Sequence, residues 1–403
     1  MKGVSAPPHF HTRKYLKMKP VAFLINVLSL SALASAAPGN VANGHDAEAV
    51  ASKQIAHLQR EYQKYIHATL KTRQTGCTKK NILRRREWGA LSKADRRSYI
   101  DAVYCLHNNH TFITPPTTIP GVRNRYDDFV GSHMLLTPAV HASGLFLPFH
   151  RFYVHLYETA LRTECGYRGA QPYWDWTLSY TDPAASSVLD GSPWSMGSNG
   201  VYVPGRPPLS VAGPALTRTF PPATGGGCVH SGPFTEDRFT VNLGPVSFEP
   251  AAPEGGFGYN PRCLVRDVSP AFAGDTRPTN VTALLGCADL ACFNVQLDEP
   301  QGGVHGSGHF QVGAIALDVF ASPADPIFWL HHAQMDRLWT IWQNLGDPRD
   351  RTYQVWGTET AANTPPSDNV TLDTAVPFGL LSPSKPVRDL VSTIDGPLCY
   401  IYE

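Results

Sequence analysis

Two groups of histidines are the residues whose types and spacing point most clearly to chemistry. The first group is His133, His141 and His150, and the second is His305, His309 and His332. His305 and His309 are four residues apart, so on a helix they would share one face. Each group therefore predicts a metal site built from three imidazoles.

The donor type narrows the choice of metal. Imidazoles without thiolates or carboxylates suit copper, zinc, iron or nickel. Three protein ligands leave coordination positions open, which a reactive site needs and a structural site avoids. Two such groups on antiparallel helices of one bundle could face each other across a pair of ions. Neutral imidazoles bind both oxidation states of copper, so a copper pair can exchange two electrons with dioxygen, whereas zinc has no redox chemistry.

Two residues near the second group are candidates for supporting roles. Metal-ligating imidazoles usually donate their other ring N–H to a nearby acceptor. Asp336 lies one helical turn after His332 and is predicted to be such an acceptor. His331 directly precedes His332 and would point about 100° away on a helix. We therefore interpret His331 as a supporting or core residue and His332 as the ligand.

The histidines fall within predicted helices. We expect one helix over residues 126–135, one that opens at Pro148, and one that opens at Asp325-Pro326. Two further helices are predicted, over residues 46–71 from apolar periodicity and from the capping box at Ser92 to about Leu106. Residues 177–303 are rich in Gly, Pro and Ser, which predicts mostly loop with a few short strands. The sequence thus indicates a mainly α protein with a large loop-rich periphery.

The N-terminus indicates a secreted protein. Residues 21–36 form an apolar run that follows three lysines and ends in the small residues Ala34-Ser35-Ala36, which is typical of a signal peptide. The run is too short and too rich in small residues to favour the alternative of a membrane anchor. Residues 1–36 are therefore predicted to be a signal peptide, in which Met18 could be the working start.

A secreted location predicts that the cysteines form disulfides. The eight cysteines form an even set, and an oxidising compartment favours disulfides over metal thiolates. Four bridges allow 105 pairings, and the sequence does not choose among them. Three Asn-X-Thr sequences, which begin at Asn109, Asn280 and Asn369, are possible glycosylation sites.

Composition excludes some classes of partner. The chain has 403 residues, a formal charge of +1 and 17% charged residues. A near-neutral chain has no strong electrostatic footprint for nucleic acid or for an anionic membrane. Hydrophobic residues make up 42%, so a sizeable core can form.

Five longer motifs carry a resemblance to a known family. They read YDDFVGSH, GLFLPFHRFYVHLYE, QPYWDW, GGVHGSGHF and DPIFWLHHAQMDRLW. They resemble the tyrosinase/catechol oxidase (polyphenol oxidase) family, and most of all its short secreted ascomycete members. The resemblance runs from about residue 85 to the C-terminus and implies that each histidine group binds one of two copper ions. It also implies an antiparallel four-helix bundle around a type-3 dicopper centre, and the oxidation of phenols to ortho-quinones by dioxygen.

This resemblance divides the chain into a signal peptide (1–36), an N-terminal helical segment (37–80) and a dicopper catalytic domain (81–403). Many fungal members have a Cys two residues before the second ligand, which forms a thioether with that ligand. Ala139 stands there in this sequence, so no such crosslink is expected. Long members add a C-terminal domain that plugs the site. This chain ends at a similar tyrosine motif, Tyr400-Ile401-Tyr402, so no plug is expected.

A further departure concerns monophenols. In members that hydroxylate them, the residue after the first ligand of the second copper is often Asn, which with an acidic residue holds a water that acts as base. Gly306 takes that position here, and Gln296 stands about where the acidic residue would be. Phe310 could also narrow the approach to the second copper. We therefore expect strong oxidation of ortho-diphenols and weak oxidation of monophenols.

Three other functions compete with this one. An ortho-aminophenol oxidase would use the same site. A hemocyanin-like dioxygen carrier would use the same metal pair without turnover, but it needs a shielding domain, which the sequence lacks. A metal-free structural protein is disfavoured because all six histidines are present. The expected partners are a phenolic small molecule and dioxygen, with neither nucleic acid nor membrane.

Overall fold

The fold is built mainly from helices. A computed structural model describes residues 42–110, 112–212, 217–248, 252–298, 303–346 and 348–403. Residues from Gly44 onward form one compact unit; of the preceding unit, only the first residues of a helix are described, and the predicted signal peptide lies outside the described residues. The helices are α1 Ala42–Thr72, α2 Lys93–Asn108, α3 Arg125–Val140, α4 Phe146–Thr163, α5 Pro278–Leu285, α6 Leu290–Leu297, α7 Gly303–Phe310, α8 Ile327–Gln343 and α9 Pro348–Thr352.

The strands are short and pair two by two. They are β1 Leu83–Arg85, β2 Gly200–Tyr202, β3 Leu209–Ala212, β4 Thr217–Phe220, β5 Gly226–Val229, β6 Ala375–Val376, β7 Lys385–Pro386 and β8 Tyr400–Tyr402. Strands β2 with β5, β3 with β4 and β6 with β7 are antiparallel, whereas β1 and β8 are parallel. Strands β2 to β5 lie in the loop-rich segment 177–303, as its composition predicts, whereas Arg85 of β1 and all three residues of β8 are buried.

Local signals explain where the helices begin. The Ser92 hydroxyl accepts the backbone N–H of Asp95 at 3.1 Å, so the predicted capping box does start α2. The Asn124 side chain caps α3 in the same way, through the N–H of Asp127 at 2.9 Å. Helix α3 continues past the predicted end at residue 135 and includes Pro138. It therefore carries the chain to His141, which is its C-terminal cap.

The segment 177–303 contains more helix than its composition predicts. Helices α5 and α6 lie there, each eight residues long. The Asp289 side chain caps α6 by accepting the N–H of Cys292 at 2.9 Å, and the disulfide Cys287–Cys292 spans the turn that precedes it. Helices this short have little apolar periodicity, so the loop interpretation missed them.

Four disulfides tie the periphery to the core. They join Cys77 to Cys399, Cys105 to Cys165, Cys228 to Cys263 and Cys287 to Cys292. The first of them lies beside the parallel pair of β1 and β8, where Leu83 is opposite Tyr400. The C-terminal strand β8 is thus fastened to the segment that follows α1.

The core is rich in aromatic side chains. Helix α4 packs against α8, and the rings of Tyr157 and Trp329 stack at 3.7 Å between centroids. Every residue of α8 is buried, so this helix runs through the middle of the core. Within the described residues, no helix combines the length and apolar character needed to cross a membrane.

Candidate metal centre

The first histidine group lies where α3 ends and α4 begins. His133 is in α3, His141 caps that helix, and His150 is in the second turn of α4. In each, the Nδ1 atom faces a backbone carbonyl oxygen: that of Phe320 at 2.7 Å, of Thr137 at 3.2 Å and of Phe146 at 2.8 Å, respectively. A carbonyl oxygen only accepts, so each Nδ1 must donate, and each Nε2 keeps a free lone pair.

The three imidazole rings lie close together. One ring nitrogen from each of the three histidines lies within 4.8 Å of the others. The Nε2 atoms of His133 and His150 are buried and have no hydrogen-bond partner among the described residues. A buried polar atom without a partner is costly unless something occupies the site. Three inward-facing imidazoles of this kind fit a metal ion such as copper.

The second group is built on α7 and α8. The Nε2 atoms of His309 and His332 are 3.2 Å apart, close enough to share one ion. The Nδ1 atom of His305 donates to the Asp298 carboxylate at 3.0 Å, while its buried Nε2 has no partner among the described residues. The carboxylate therefore fixes the tautomer of His305, as expected for a metal-binding imidazole.

Four histidines, not three, meet at the second group, because His331 also brings a ring nitrogen within 4.8 Å of the others. Its Nδ1, however, accepts the indole N–H of Trp176 at 3.1 Å. An indole can only donate, so this Nδ1 has used its lone pair and a neutral His331 carries its proton on Nε2. The geometry thus favours His332 over His331 as the ligand.

The ring of His331 fits there because residue 308 is glycine. A Cβ on Gly308 would lie 2.1 Å from Cε1 of His331, which no real side chain could tolerate. Trp176 belongs to the QPYWDW motif, whose contact with the histidines the spacing alone did not reveal.

The two groups face each other across a narrow gap. The rings of His150 and His332 stack with centroids 4.3 Å apart. The ring of Phe146 contacts both groups, at 4.5 Å from His150 and 4.7 Å from His305. Phe146 is only 4% exposed, so it closes one side of the gap to water. The structure thus brings all six predicted ligands together.

Burial favours the neutral form of five of these imidazoles. It lowers the pKa of His141 to about 4, and electrostatic repulsion from His305 adds to the effect. Burial also lowers the pKa values of His133, His150, His309 and His332 well below the usual range. A neutral imidazole has the lone pair that a metal requires.

Asp336 is buried in a different network from the predicted one. Its Oδ2 accepts the hydroxyls of Tyr400 and Tyr402, both at 2.6 Å, and its Oδ1 accepts Nε–H of Arg151 at 2.5 Å. Arg85 approaches Oδ2 at 3.3 Å. Asp336 therefore accepts its hydrogen bonds from arginines and tyrosines, and the prediction that it bonds directly to a ligand imidazole is wrong. The two arginines and two tyrosines saturate both of its oxygens.

Gln296, Gly306 and Phe310, the residues predicted to lie near the substrate, are found in two different helices. Gln296 is partly buried in α6, and its side chain makes no hydrogen bond within the described part of the chain. Asp298, two residues later at the end of α6, is the residue that reaches the histidines. Phe310 packs against Phe220 with ring centroids 4.9 Å apart. Its Cζ would lie 2.9 Å from a Cβ placed on Gly306, so Phe310 occupies the space of a side chain there.

A cavity of about 550 Å³ lies next to the second histidine group. Phe146 and Asp298 form part of its wall, and Trp356, which is 45% exposed, lies at its outer side. Phe146 and Asp298 each contact His305, so a single layer of side chains lies between this cavity and the second histidine group. The sequence contained no signal for Phe146 or Trp356 at this position.

Comparison with known proteins agrees with this geometry. Residues 123–345 match the model of the common central domain of tyrosinase. Tyrosinase P from Aspergillus terreus is 41% identical over 79% of this chain and 91% of its own. N-acetyl-6-hydroxytryptophan oxidase from Emericella nidulans is 39% identical over 81% of this chain and 94% of its own.

A solved structure shares the fold. It is a glycine-to-asparagine variant of polyphenol oxidase from Thermothelomyces thermophila, which is 38% identical and superposes with a TM-score of 0.77. The match covers 89% of this chain and 97% of that one. These relatives are enzymes, which favours an oxidoreductase over a dioxygen carrier or a structural protein. By its histidine geometry, its central domain and its fold, this chain belongs to the tyrosinase family of polyphenol oxidases.

Proposed function

We propose that this chain is a secreted copper enzyme that oxidises ortho-diphenols, and monophenols more weakly, to ortho-quinones with dioxygen. The observation that carries the proposal is the pair of facing histidine groups, in which the buried Nε2 atoms of His133, His150 and His305 have no hydrogen-bond partner among the described residues. His133, His141 and His150 would hold one copper ion, and His305, His309 and His332 the other. The four disulfides support an oxidising, extracellular location.

A bound copper pair supplies reversible one-electron exchange at each ion. In the overall reaction, two ortho-diphenols each lose two electrons and two protons, and one dioxygen takes up all of them to form two waters. A monophenol instead gains one oxygen atom of dioxygen, and the other leaves as water. Copper suits the all-imidazole donor set better than calcium or magnesium, which prefer oxygen ligands.

The protein's own residues hold and shield this chemistry. Backbone carbonyls orient the first three imidazoles, and the Asp298 carboxylate orients His305. Phe146 limits the entry of water between the two groups. A phenol ring would enter through the cavity of about 550 Å³ that Phe146 and Asp298 line.

Weak monophenol activity follows from how protons are removed. A monophenol must lose its proton near the site, which requires a base. Gly306 has no side chain to hold a water, and the Gln296 amide is a poor proton acceptor. The nearby carboxylate of Asp298 is already engaged by His305. An ortho-diphenol is already hydroxylated and its first proton is more acidic, so it depends less on this base.

A second candidate substrate class is hydroxylated indoles. The relative from Emericella nidulans is named for an N-acetyl-6-hydroxytryptophan substrate and matches most of this chain. The cavity lies within the range of about 300–1,000 Å³ that holds drug-sized ligands, so it has room for more than a single phenol ring. An ortho-aminophenol remains a third candidate, because it would use the same site.

Metal analysis and oxygen uptake together test the proposal. Copper-loaded protein is expected to contain two copper ions per chain and to consume oxygen with 4-methylcatechol, with formation of coloured quinone. Rates across a panel of mono-, di- and aminophenols and hydroxyindoles would rank the substrate classes. Stoichiometric copper without oxygen consumption on any of them would overturn the oxidase assignment.

A further inference from the structure

The cavity beside the second histidine group is bordered by a sequence that glycosylating enzymes recognise. Asn369, Trp356 and Val295 line it together with Phe146. Phe146 is buried against the histidines, whereas Trp356 and Val295 are 45% and 50% exposed. The exposed residues therefore form the outer rim of the cavity, and Asn369, which is also exposed, is part of that rim.

Asn369 is well placed to be modified. It begins the sequence Asn369-Val370-Thr371, an acceptor for N-linked glycans. The backbone of the buried Val370 donates to the Gly357 carbonyl at 2.9 Å, so the segment is anchored on the protein. Among the hydrogen bonds of the described residues, none uses the Asn369 side chain. A sugar could therefore be attached without breaking a contact.

The sequence that begins at Asn280 is less suitable. Asn280 lies within helix α5, and its Nδ2 donates to the Asp275 carbonyl at 3.2 Å. Modification there would compete with the helix and with this bond. Asn280 is also absent from the lining of the cavity, which makes it a matched comparison for Asn369.

We propose that Asn369 carries an N-linked glycan that stands over the mouth of this cavity and filters substrates by size. In the modification, the Asn369 amide nitrogen bonds to the anomeric carbon of the first sugar. The amide loses a proton, and the lipid pyrophosphate that carried the oligosaccharide leaves. The idea rests on the proposed function, since only a secreted chain meets the modifying enzymes and only an oxidase has substrates to filter.

The physical reason for filtering is steric. A glycan is bulky and hydrated, so it restricts large molecules at the rim more than small ones. A single catechol ring would pass beside it. A catechol attached to a large group would have to displace the sugars before its ring reached Phe146. The enzyme would thus act on small phenols in preference to polymer-bound ones.

The experiment uses the full chain secreted from a eukaryotic host. Peptide mass spectrometry reports whether Asn369 is modified. Kinetics then compare 4-methylcatechol with a catechol joined to a polyethylene glycol chain. For Asn369→Gln, the ratio of kcat/KM for the polymer-linked substrate to that for 4-methylcatechol is expected to rise by about threefold or more, since a steric barrier is removed. Enzymatic removal of glycans from the folded wild type should raise the ratio in the same way. Asn280→Gln should leave it unchanged.

Two results would overturn the proposal. One is an unmodified Asn369 peptide in the secreted protein, and the other is an equal ratio before and after glycan removal. Its failure is distinguishable from that of the proposed function. A protein that carries the glycan but oxidises none of the phenols, aminophenols or hydroxyindoles would contradict the oxidase assignment, while the mass spectrum would still establish the modification.

Discussion

The Nε–H of Arg151 donates to Oδ1 of Asp336 at 2.5 Å, and this buried ion pair joins α4 to α8. Arg151 directly follows His150, and Asp336 lies one turn after His332. Each member of the pair thus sits next to a proposed ligand of a different copper ion. The pair holds the two histidine-bearing helices in register without touching the imidazoles themselves.

Asp336→Asn is expected to destabilise the fold. The change leaves Arg151 and Arg85 facing a neutral amide in the core, and removing one partner of a buried pair costs about 3–5 kcal/mol. The variant should retain some copper and lose part of its rate. Chemical unfolding of the two proteins measures the difference. Asp373→Asn removes an exposed pair with Arg388 and should change stability little. Equal stability of Asp336→Asn and the wild type would contradict the role.

His332→Ala and His331→Ala should differ in copper content. His332→Ala is expected to lose the second copper and turnover together, because a single ion cannot supply both electrons. His331→Ala should keep two coppers, because its Nδ1 is already bonded to Trp176. Metal analysis per chain separates them. Equal copper loss in both variants would show that the wrong member of the pair has been assigned.

Asp298→Asn tests the carboxylate behind His305. The amide oxygen can still accept the Nδ1–H, but the negative charge that strengthens the imidazole as a donor is lost. Loss of such partners typically costs about 10- to 100-fold in metal affinity or activity. Competition with a chelator measures the affinity. Asp101→Asn, which removes an exposed carboxylate on α2, serves as the control. Identical copper affinities of Asp298→Asn and the wild type would show that Asp298 does not support metal binding.

Gly306→Asn should raise monophenol activity, and Phe310 should limit the gain. The new Cβ would come within 2.9 Å of the Phe310 ring, so that ring must move. The ratio of tyrosol to 4-methylcatechol turnover is expected to increase in Gly306→Asn and to increase further when Phe310→Ala is added. Phe310→Ala alone is the control. A wild-type ratio near one, or no rise in either Asn variant, would show that proton removal does not limit monophenol turnover.

Asp127 should make stability depend on pH. Burial raises the pKa of this carboxyl to about 7, well above the value near 3.9 of an unfolded chain. The folded state therefore holds a proton that the unfolded state releases. The contribution of Asp127 to the free energy of unfolding is fully present below about pH 4 and is lost as pH rises through about 7. The free energy of unfolding changes by at most ~1.4 kcal/mol per pH unit from this group.

Asp127→Asn isolates this effect. An amide oxygen can still accept from the Arg123 backbone N–H and from the Asn242 side chain, as the carboxylate does. Unfolding free energies of both proteins between pH 4 and 8 should diverge, with the wild type losing stability relative to the variant. Parallel curves would show that Asp127 is ionised in the folded protein.

The six proposed ligands could be found from sequence because their spacing reflects helices with strong signals. The cap at Ser92 and the long apolar face of α1 were equally readable. The roles of Asp336 and Trp176 could not be predicted from the sequence, because each depends on partners far away in the chain. The partners of Asp336 include Arg85, Tyr400 and Tyr402, and the partner of Trp176 is His331. Disulfide pairing was undetermined for the same reason.

Strands β1 and β8 are parallel and are the first and last strands of the described residues, with Leu83 opposite Tyr400. Tyr400 and Tyr402, in the second of these strands, supply two of the hydroxyls that stabilise the Asp336 charge. During synthesis, the helices that carry the histidines emerge from the ribosome before these tyrosines do. Asp336 consequently lacks its full set of partners until β8 has been made. The interior around Asp336 is thus completed only after residues 400–402 have been made, and a truncation just before Tyr400 would leave this buried carboxylate without two of its hydrogen bonds.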